Sequence, residues 1–538
     1  MFTISVEACK TRALIEDYTK QRSRLLKEEK LLSLGGKLTL TDEEQEANNI
    51  LMRWKKKEVE ESFHDPQQFN YSKHYFSYKD HIEKSKVFQI IRQMPKGAAL
   101  HVHSSYMLDA DGLLDLTYED HLYACYHNDL KLQFSDVVPT LECPVKWSLL
   151  SELRAATDNV TLFDQELKKH FVLVADDEDV LNSDINKVWY KFERIHKTVK
   201  PLIGYRPVRE KYFYKTLERF YADNVMYIEM RSGISSLYEL DGTKHEKIFM
   251  ARLYRNITKK FMNEHPDFIG FKLIVTCYRA LDEFRVQEAL NLANKVKAEM
   301  PDFFAGFDLV GQEDLGRPLM DFIPILTKNK NKMNFYFHAA ETLWFGSPTD
   351  ENLVDAILMG SKRIGHSYAL LKHPSFLRMV FEKDIGIEVN VISNAVLALL
   401  SDVRNHPLAT FLALDMPVVL SSDDPSAWGA QPLSHDFYVA FVIVASRHYD
   451  LRMLKQLALN SIKYSSLDRN EKNKFLTVFN DKWYRFIKGL RENNLESESH
   501  VTTISAEVDT EAPTAVNLET DTVESSGMSV EVYTVEPR

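Results

Sequence analysis

The sequence of 538 residues has little cysteine, no long apolar segment and no excess of positive charge. Its four cysteines are too few for a fold that depends on several disulfides for its stability. No apolar run reaches the roughly 18 residues that a membrane-spanning helix requires, so we expect a soluble chain without a membrane span. The formal net charge of −11 argues against nucleic acid or an anionic membrane surface as the main partner. The first 20 residues are polar and charged and show no apolar signal-peptide core.

The cysteines leave the compartment open. Cys125 and Cys143 lie close together in a loop-like region, while Cys9 and Cys277 are far apart in the sequence. Four free thiols would be typical of a cytosolic protein. Three Asn-x-Ser/Thr glycosylation triplets favour the opposite interpretation, at Asn70, Asn159 and Asn256.

The segment from Met94 to Ser104 contains the most informative pattern. A short apolar run, 98–100, ends in two histidines separated by one residue, His101 and His103. In an extended strand, side chains at positions i and i+2 point to the same side. Both imidazoles can therefore reach one metal ion from the end of a single strand.

Short apolar runs then alternate with helix-like stretches along most of the chain. With the run before His101, eight such runs occur, and this alternation predicts an α/β fold, a (β/α)8 TIM-type barrel. The later runs lie at 225–230, 269–276, 305–310, 333–337, 363–365, 385–389 and 416–420.

The regions outside this alternation define the predicted domain organisation. Residues 1–93 form an N-terminal helical arm, which either packs against a partner subunit or is a solvated pair of helices. The barrel covers 94–490, with an inserted subdomain at 104–185 that is rich in Tyr, His and Asp. Residues 491–538 are expected to form a disordered acidic tail.

Several later runs end in residues suited to metal binding or proton transfer. They are followed by His338 and Glu341, by His366, and by Asp423 and Asp424. In a barrel these strand ends meet at one face, which predicts a zinc site with an open position for water. Singly, each residue has a simpler explanation, such as a backbone-bonded histidine or a helix-capping carboxylate. Their joint occurrence at the strand ends of one barrel favours the metal site.

Seven motifs connect the sequence to a known family. They are Met94-Pro-Lys-Gly-Ala-Ala-Leu-His-Val-His103, Ala305-Gly-Phe-Asp-Leu-Val-Gly-Gln-Glu-Asp314, His338-Ala-Ala-Glu-Thr342, Arg363-Ile-Gly-His-Ser-Tyr-Ala-Leu370, Ile392-Ser-Asn394, Arg404-Asn-His-Pro407 and Ser421-Ser-Asp-Asp-Pro425. Together they resemble the adenosine deaminase family, and more closely its secreted branch, the adenosine deaminase growth factors. The resemblance extends from about Tyr18 to Lys488 and implies a barrel of the metal-dependent amidohydrolase kind.

The resemblance implies one Zn²⁺ per chain and a hydrolytic deamination of adenosine or 2′-deoxyadenosine to the inosine product and ammonia. The implied zinc ligands are His101, His103, His338 and Asp423. Glu341 would donate a proton to N1 of the purine. His366 and Asp424 would orient and deprotonate the attacking water, and Asp424 would also contact N7. This requires a neutral Glu341 beside an ionised Asp424, which burial and a nearby cation can produce.

Further implications concern the substrate and the partners. The backbone N–H of Gly311 would bond N3 of the base, and Trp189 would contact the ribose side.

The family's arm builds a homodimer, and its insertion carries a disulfide that falls on Cys125 and Cys143. These matches, with the triplet at Asn159, favour an extracellular glycoprotein despite the missing leader. A cell-surface receptor or glycan is a further implied partner of the insertion.

The sequence departs from the family pattern in the nucleoside pocket. Ser104 replaces an aspartate that bonds the ribose 5′-hydroxyl, Ala340 and Ser367 replace glycines, and Gln312 replaces a histidine. We expect zinc binding, with adenosine deamination at reduced efficiency or with an altered nucleoside preference. The alternative is a growth-factor-like signalling or binding protein with little turnover. An AMP deaminase is a third interpretation, which requires a cationic phosphate site that the sequence does not locate.

Overall fold

The structure, a computed structural model, describes residues 2–64, 71–127, 129–173 and 184–508, with side chains from residue 14 to residue 492. Two compact units are distinguished, Met1–Arg491 and Glu492–Arg538. The predicted glycosylation triplet at Asn70 lies outside the described residues. None of the described helices combines the length and the apolar character that a bilayer crossing needs.

The larger unit contains eight parallel barrel strands in two four-stranded sheets, and the predicted barrel is confirmed. With strands numbered along the chain, the barrel strands are β1 (Gly97–His103), β5 (Val225–Ser232), β6 (Gly270–Tyr278), β7 (Phe304–Val310), β8 (His338–Ala339), β9 (Arg363–His366), β10 (Gly386–Val389) and β11 (Val418–Leu420). The sheet orders are β1-β5-β6-β7 and β11-β10-β9-β8. Their side chains are almost entirely buried, as is usual for parallel strands covered by helices.

Isolated backbone pairings join the two sheets at both edges. Val102 pairs with Asp423 on one side, and Phe307 pairs with Phe335 on the other. At the first edge the His103 N–H donates to the Asp423 carbonyl at 3.1 Å. These pairings close the sheets into a barrel.

The fifth predicted run differs from the observed strand. The expected strand was 333–337, whereas β8 is confined to His338–Ala339. The backbone of the predicted run meets β7 at two hydrogen bonds only, Phe307 N–H to Asn334 carbonyl and Tyr336 N–H to Phe307 carbonyl. Those two bonds form a single bridge rather than a ladder, so the segment lies in the barrel wall without forming a regular strand.

Helices surround the strands and form most of the N-terminal arm. Their bounds are Phe2–Leu32, Asp42–His64, Lys79–Lys84, Lys86–Gln93, Ala110–Leu116, Leu150–Ala155, Val160–Lys168, Ile185–Leu202, Arg206–Ala222, Lys247–Glu264, Glu283–Glu299, Ile323–Thr327, Asn352–Met359, Pro374–Glu382, Val391–Val396, Leu408–Ala413, Ser434–Tyr438, Leu451–Lys463 and Arg469–Val508.

The arm is positioned by its second helix. This helix begins with a reciprocal capping box, in which the Thr41 N–H donates to Glu44 and the Glu44 N–H donates to the Thr41 hydroxyl. Its buried Lys55 ammonium donates to the carbonyls of Ser446 and Tyr449. The first helix, by contrast, exposes large apolar side chains, including Leu14, Ile15, Tyr18, Leu25 and Leu26. The role of the arm in a dimer stays a prediction.

The insertion contains a small antiparallel sheet of order β3-β2-β4. Its strands are β2 (Leu122–Tyr126), β3 (Leu130–Phe134) and β4 (Ser148–Leu149). Cys125 of β2 is joined by a disulfide to Cys143, with the two Cα atoms 6.0 Å apart. The bond connects the sheet to the loop before β4.

Removing this disulfide is expected to lower stability without affecting chemistry. The bond closes a loop of 18 residues, for which loop entropy predicts a stabilisation of about 3 kcal/mol. The double substitution Cys125→Ser and Cys143→Ser should therefore lower the denaturant midpoint and leave the rate of the reaction that the family resemblance implies within about twofold. Reducing agent should reproduce the shift in the unaltered protein and have no effect on the variant. An unchanged midpoint would contradict the prediction.

The C-terminal region departs from the predicted tail at 491–538. The last helix continues to Val508 instead of ending near residue 490. The sequence between Arg491 and Val508 contains neither proline nor glycine and includes several glutamates and leucine, so nothing local stops the helix. Residues 509–538 of the predicted tail lie outside the described residues.

Candidate active site

Four side chains from three strand ends converge at the carboxyl-terminal face of the barrel. His101 and His103 come from β1, His338 begins β8, and Asp423 follows β11. One ligand atom of each lies within 4.8 Å of the others. Asp423 Oδ1 is 3.1 Å from His103 Nε2 and 3.5 Å from His101 Nε2. The strand-end placement expected from the sequence thus brings all four residues together.

Two buried carboxylates orient the histidines. His101 Nδ1 lies 2.8 Å from Glu388 Oε2, and His338 Nδ1 lies 2.6 Å from Asp308 Oδ2. Both carboxylates also accept hydrogen bonds from the guanidinium of Arg231, at 2.6 and 2.7 Å. With Nδ1 engaged in this way, each imidazole presents Nε2 to the centre of the cluster.

The charge states of this network suit metal ligation. Burial opposes ionisation of Asp308, but the charge of Arg231 and the hydrogen bonds with His338 and Arg231 hold the pKa of its carboxyl below its usual range. Burial lowers the pKa of the His338 imidazole to about 3, so this residue is neutral at neutral pH. Neutral imidazole is the form that binds a metal ion.

Unpartnered polar atoms surround the same centre. Among the described residues, His101 Nε2, His366 Nε2 and Asp424 Oδ1 are buried and have no hydrogen-bond partner. Buried polar atoms are rarely left unsatisfied in native proteins. Three imidazole nitrogens and one carboxylate are also a donor set that zinc prefers, with room for a further ligand. The residues present therefore fit a divalent zinc ion.

Glu341 and His366 lie beside the ligand cluster. Glu341 Oε1 is 3.2 Å from His366 Nδ1, and the Glu341 backbone N–H donates to the carboxylate of Glu313. Burial, reinforced by the negative charges of Asp423 and Glu313, raises the pKa of the Glu341 carboxyl well above its usual range. A shift in this direction favours the protonated form of the carboxyl, which can act as an acid.

An amide and a second histidine position His366. Asn394 Nδ2 lies 3.0 Å from His366 Nδ1, and Asn394 Oδ1 lies 2.9 Å from His406 Nε2. Burial lowers the pKa of the His366 imidazole well below its usual range. His366 is therefore neutral, and its unpartnered Nε2 lies 3.7 Å from Asp423 Oδ2.

Asp424 is the second carboxyl group in the cluster. Burial and the adjacent negative charge of Asp423 raise the pKa of the Asp424 carboxyl well above its usual range. The resemblance implies that Asp424 is ionised. Burial and the charge of Asp423 both oppose its ionisation, so this state depends on the positive charge of a bound cation.

A cavity of about 1000 Å³ opens onto these residues. Its lining includes the predicted substrate-binding residues Ser104, Trp189 and Gly311, together with Glu341 and Asp424. Gly311 has a φ of +101°, and a Cβ at this position would lie 2.2 Å from the Tyr278 ring. Only glycine fits here, and its backbone can approach a ligand closely. Gln312, in contrast, donates from its amide to Asn186 at 2.7 Å.

Two residues that replace family glycines have a left-handed backbone. Ala340 has a φ of +61° and Ser367 a φ of +49°, and both are fully buried. The Ser367 hydroxyl has no hydrogen-bond partner among the described residues. Such conformations strain any residue with a Cβ, so these positions carry a conformational cost next to Glu341 and His366.

The substitution Ala340→Gly is expected to stabilise the protein by about 1 kcal/mol, because relief of the left-handed strain outweighs the added flexibility of the unfolded chain. It should also raise kcat/KM for the deamination that the family resemblance implies several-fold, by relaxing the position of Glu341. Denaturant unfolding and steady-state kinetics measure the two effects. Ala339→Gly is the matched control, since Ala339 is equally buried but lies in β8 without a positive φ. Equal effects at both positions would refute the prediction.

Sequence reasoning missed the residues that orient the ligands. Asp308, Glu388 and Arg231 all lie within barrel strands and are completely buried. A charged residue in the middle of an apolar run was the available signal, because such residues are rarely buried without a paired partner. Their pairing could not be read without knowing which strands face one another.

Comparisons with known proteins identify the family and several relatives of the chain. The family models described as Adenosine/AMP deaminase N-terminal and Adenosine deaminase match residues 1–91 and 155–482. The chain is 42% identical over 473 residues to "Adenosine deaminase 2" of Homo sapiens, covering 87% of this chain and 92% of the relative. It is 42% identical over 476 residues to "Adenosine deaminase" of Aedes albopictus, covering 88% of each.

Solved structures with the same fold are more distant in sequence. An amidohydrolase from Burkhoderia ambifaria is 16% identical with a TM-score of 0.55, covering 75% of this chain and 94% of that protein. The N6-methyl-AMP deaminase from Arabidopsis thaliana is 18% identical with a TM-score of 0.51, covering 73% and 98%. At these identities the likeness is one of fold.

Proposed function

Because the chain belongs to the adenosine deaminase family, we propose that it is a zinc-dependent hydrolase that deaminates adenosine, and also 2′-deoxyadenosine, to the inosine product and ammonia. The observation that carries the proposal is the convergence on one cavity of a metal-type donor set, a carboxyl with a raised pKa and a histidine with a lowered pKa.

The four residues proposed to hold Zn²⁺ are His101, His103, His338 and Asp423. A bound ion supplies Lewis acidity and makes water a nucleophile near neutral pH. The carboxylates of Glu388 and Asp308 keep two of the imidazoles in the orientation that binding requires. The Ser393 hydroxyl donates to Asp423 Oδ2 at 2.7 Å, which leaves Oδ1 toward the histidines.

Glu341 is proposed to donate its proton to N1 of the purine, which makes C6 electrophilic. Burial raises the pKa of its carboxyl well above the usual range, which favours the protonated form that this role demands. His366 and Asp424 are proposed to accept protons from the attacking water as the C6–O bond forms. The proton taken from the water then passes to the C6 amine, the C6–N bond breaks and ammonia leaves, while the C6 hydroxyl returns a proton to Glu341 as the C6 carbonyl forms.

The remaining groups orient the nucleoside. The Gly311 N–H is proposed to donate to N3 of the base, and Trp189 to pack on the ribose side. Ser104 lines the same cavity with a side chain that is shorter than aspartate and uncharged. With the strained Ala340, this substitution supports reduced efficiency toward adenosine.

The second candidate is a binding or signalling protein with little turnover on the same scaffold. The left-handed Ala340 beside the proposed acid favours it. Against it stands the complete set of ligands and proton-transfer groups, which a binding role does not require. The two candidates differ in one measurable property, which is turnover.

The deciding experiment follows the loss of ultraviolet absorbance as adenosine or 2′-deoxyadenosine is converted by the purified, zinc-loaded protein. Turnover that depends on Glu341 supports the deaminase. Absence of turnover in a protein with zinc confirmed in the site would leave the binding protein as the function.

We also propose an extracellular homodimer, with a cell-surface receptor or glycan as a partner of the insertion. The disulfide between Cys125 and Cys143 supports an oxidising compartment. The exposed apolar side chains of the first helix support burial against a second subunit. Sedimentation of the full chain would test the dimer.

A further inference from the structure

Asn394 and His406 belong to two motifs that the chain shares with its family, and the proposed chemistry gives neither of them a task. The structure brings them together behind His366. Asn394 lies on the helix Val391–Val396, between the imidazoles of His366 and His406. Both residues are buried, and neither lines the cavity. Their hydrogen bonds determine which nitrogen of His366 carries the ring proton.

One backbone group fixes the direction of the first hydrogen bond. The Leu408 N–H donates to His406 Nδ1 at 2.9 Å. A backbone N–H can only donate, so His406 Nδ1 is an acceptor and carries no proton. Burial lowers the pKa of the His406 imidazole to about 3, so the ring is neutral at neutral pH and its single proton is on Nε2. His406 Nε2 lies 2.9 Å from Asn394 Oδ1 and is the donor of that bond.

The Asn394 amide transmits this direction to His366. Because its oxygen faces a donor, the amide presents its NH2 group on the other side, where Nδ2 lies 3.0 Å from His366 Nδ1. An amide NH2 group donates and does not accept, so His366 Nδ1 is also an acceptor. The His366 proton is therefore on Nε2. The amide cannot be turned round, because its NH2 group would then face the N–H of His406.

Glu341 is compatible with the same arrangement. Its Oε1 atom lies 3.2 Å from His366 Nδ1 and 3.5 Å from Asn394 Nδ2. An ionised carboxylate at this position would face the lone pair of Nδ1, whereas a protonated carboxyl can donate to it. The network thus favours the protonated Glu341 that the proposed function requires.

We propose that Asn394 and His406 are positioning residues that hold His366 in its Nε2–H tautomer. His366 Nε2 has no hydrogen-bond partner among the described residues and lies 3.7 Å from Asp423 Oδ2, so it presents a donor to the catalytic cluster rather than a lone pair. The inference rests on the proposed deamination and divides a task that His366 and Asp424 share there. His366 donates to the attacking oxygen and orients it, and Asp424 takes the proton that the water loses.

Each proton then has one destination. An O–H bond of the water breaks, its proton goes to the Asp424 carboxylate, and the oxygen bonds to C6 while Glu341 gives its proton to N1. The proton on Asp424 passes to the amine, the C6–N bond breaks and ammonia leaves. The remaining hydroxyl proton returns to Glu341 as the C6 carbonyl forms. His366 keeps its proton throughout, which is the property that the tautomer imposes.

The direct test determines the tautomer by magic-angle-spinning NMR of the zinc-loaded full chain, labelled in histidine with the NMR-active nitrogen isotope. The chemical shift distinguishes a protonated from a bare ring nitrogen, and the His366 signals are those that the variant His366→Gln lacks. We expect a protonated Nε2 and a bare Nδ1 in His366. A protonated Nδ1 overturns the inference. The result does not depend on turnover.

A variant that reverses the tautomer tests its consequence. In Asn394→Asp the carboxylate accepts on both sides, so His366 must carry its proton on Nδ1. Loss of one donor to the reacting oxygen should lower kcat for adenosine about 100- to 1000-fold, with KM changed less than about threefold. Asn329→Asp is the matched control, since Asn329 is also buried and its amide joins a donor, Asn294, to an acceptor, the Ile325 carbonyl. It should alter neither kcat nor the His366 signals. A reversed tautomer with unchanged kcat overturns the inference.

A conservative variant separates direction from packing at His406. His406→Gln keeps an N–H donor for Asn394 Oδ1 and should retain the tautomer and kcat within about fivefold, whereas His406→Leu should lower kcat at least about tenfold. Equal losses in both variants overturn the role of His406. If adenosine is deaminated while His366 carries its proton on Nδ1, the inference fails and the deaminase stands. If Nε2 is protonated and adenosine is not deaminated, the proposed function fails and the positioning of His366 stands.

Discussion

Replacing Glu341 with glutamine is expected to lower kcat for adenosine by about a hundred- to ten-thousand-fold, the range typical of a lost general acid. Glutamine preserves the shape and can still donate a hydrogen bond, but it has no acidic proton to transfer. The structure supplies the reason for the proton, since burial and the neighbouring charges of Asp423 and Glu313 raise the pKa of the Glu341 carboxyl well above its usual range. The rate is followed by ultraviolet absorbance and checked by ammonia release.

Two controls make the Glu341 result specific. Zinc content and the denaturant midpoint should match those of the unaltered protein, because Glu341 is not one of the four proposed ligands. Glu382→Gln provides a matched substitution at an exposed glutamate, and it should leave kcat unchanged. A Glu341→Gln variant with kcat within tenfold of the unaltered enzyme would exclude this residue as the acid.

Removal of a metal ligand is expected to cause a similarly large loss of activity, together with a loss of bound zinc. The variant His101→Ala should contain well under one zinc per chain and show no turnover above background, because three donors of the set cannot replace the fourth in a site of fixed geometry. Elemental analysis and steady-state kinetics measure both properties. Chelation should inactivate the unaltered enzyme, and added zinc should restore it.

The same variant tests the buried network behind the ligand. His101 Nδ1 is a partner of Glu388, whose carboxylate is otherwise held by Arg231 and Arg363. We expect His101→Ala to lose stability even without metal, while His448→Ala at an exposed position should not. Full turnover with a normal zinc content in His101→Ala would disprove the ligand assignment.

The strand ends of the site were predictable because they depend on local periodicity and on one general rule. Alternation places His101 and His103 on one side of a strand, and parallel barrels gather their strand ends at one face. The glycine of the Gly311 turn and the helix cap at Thr41 are likewise local features. Such features need no knowledge of distant contacts.

The parts that sequence did not predict depend on contacts between segments far apart in the chain. Arg231 bridges Asp308 and Glu388, which lie on different strands, and this pairing appears only when the barrel is assembled. The length of β8 was also unpredictable, since it depends on how its backbone meets β7. The glycine that the family has at this position indicated the left-handed φ of Ala340. It did not indicate that Ala340 would be buried.

The closure of the barrel gives Asp423 two connections at once. Its backbone pairs with the strand that carries His101 and His103, and its carboxylate faces the same two imidazoles. The segments that meet here are about 320 residues apart, as the bond between Ser421 and His101 shows. A cation held at this seam would act as a reversible cross-link across nearly the whole fold, spanning a far longer loop than the 18 residues closed by the disulfide. Occupancy of the catalytic site would then also decide how firmly the first and last strands of the barrel are held together.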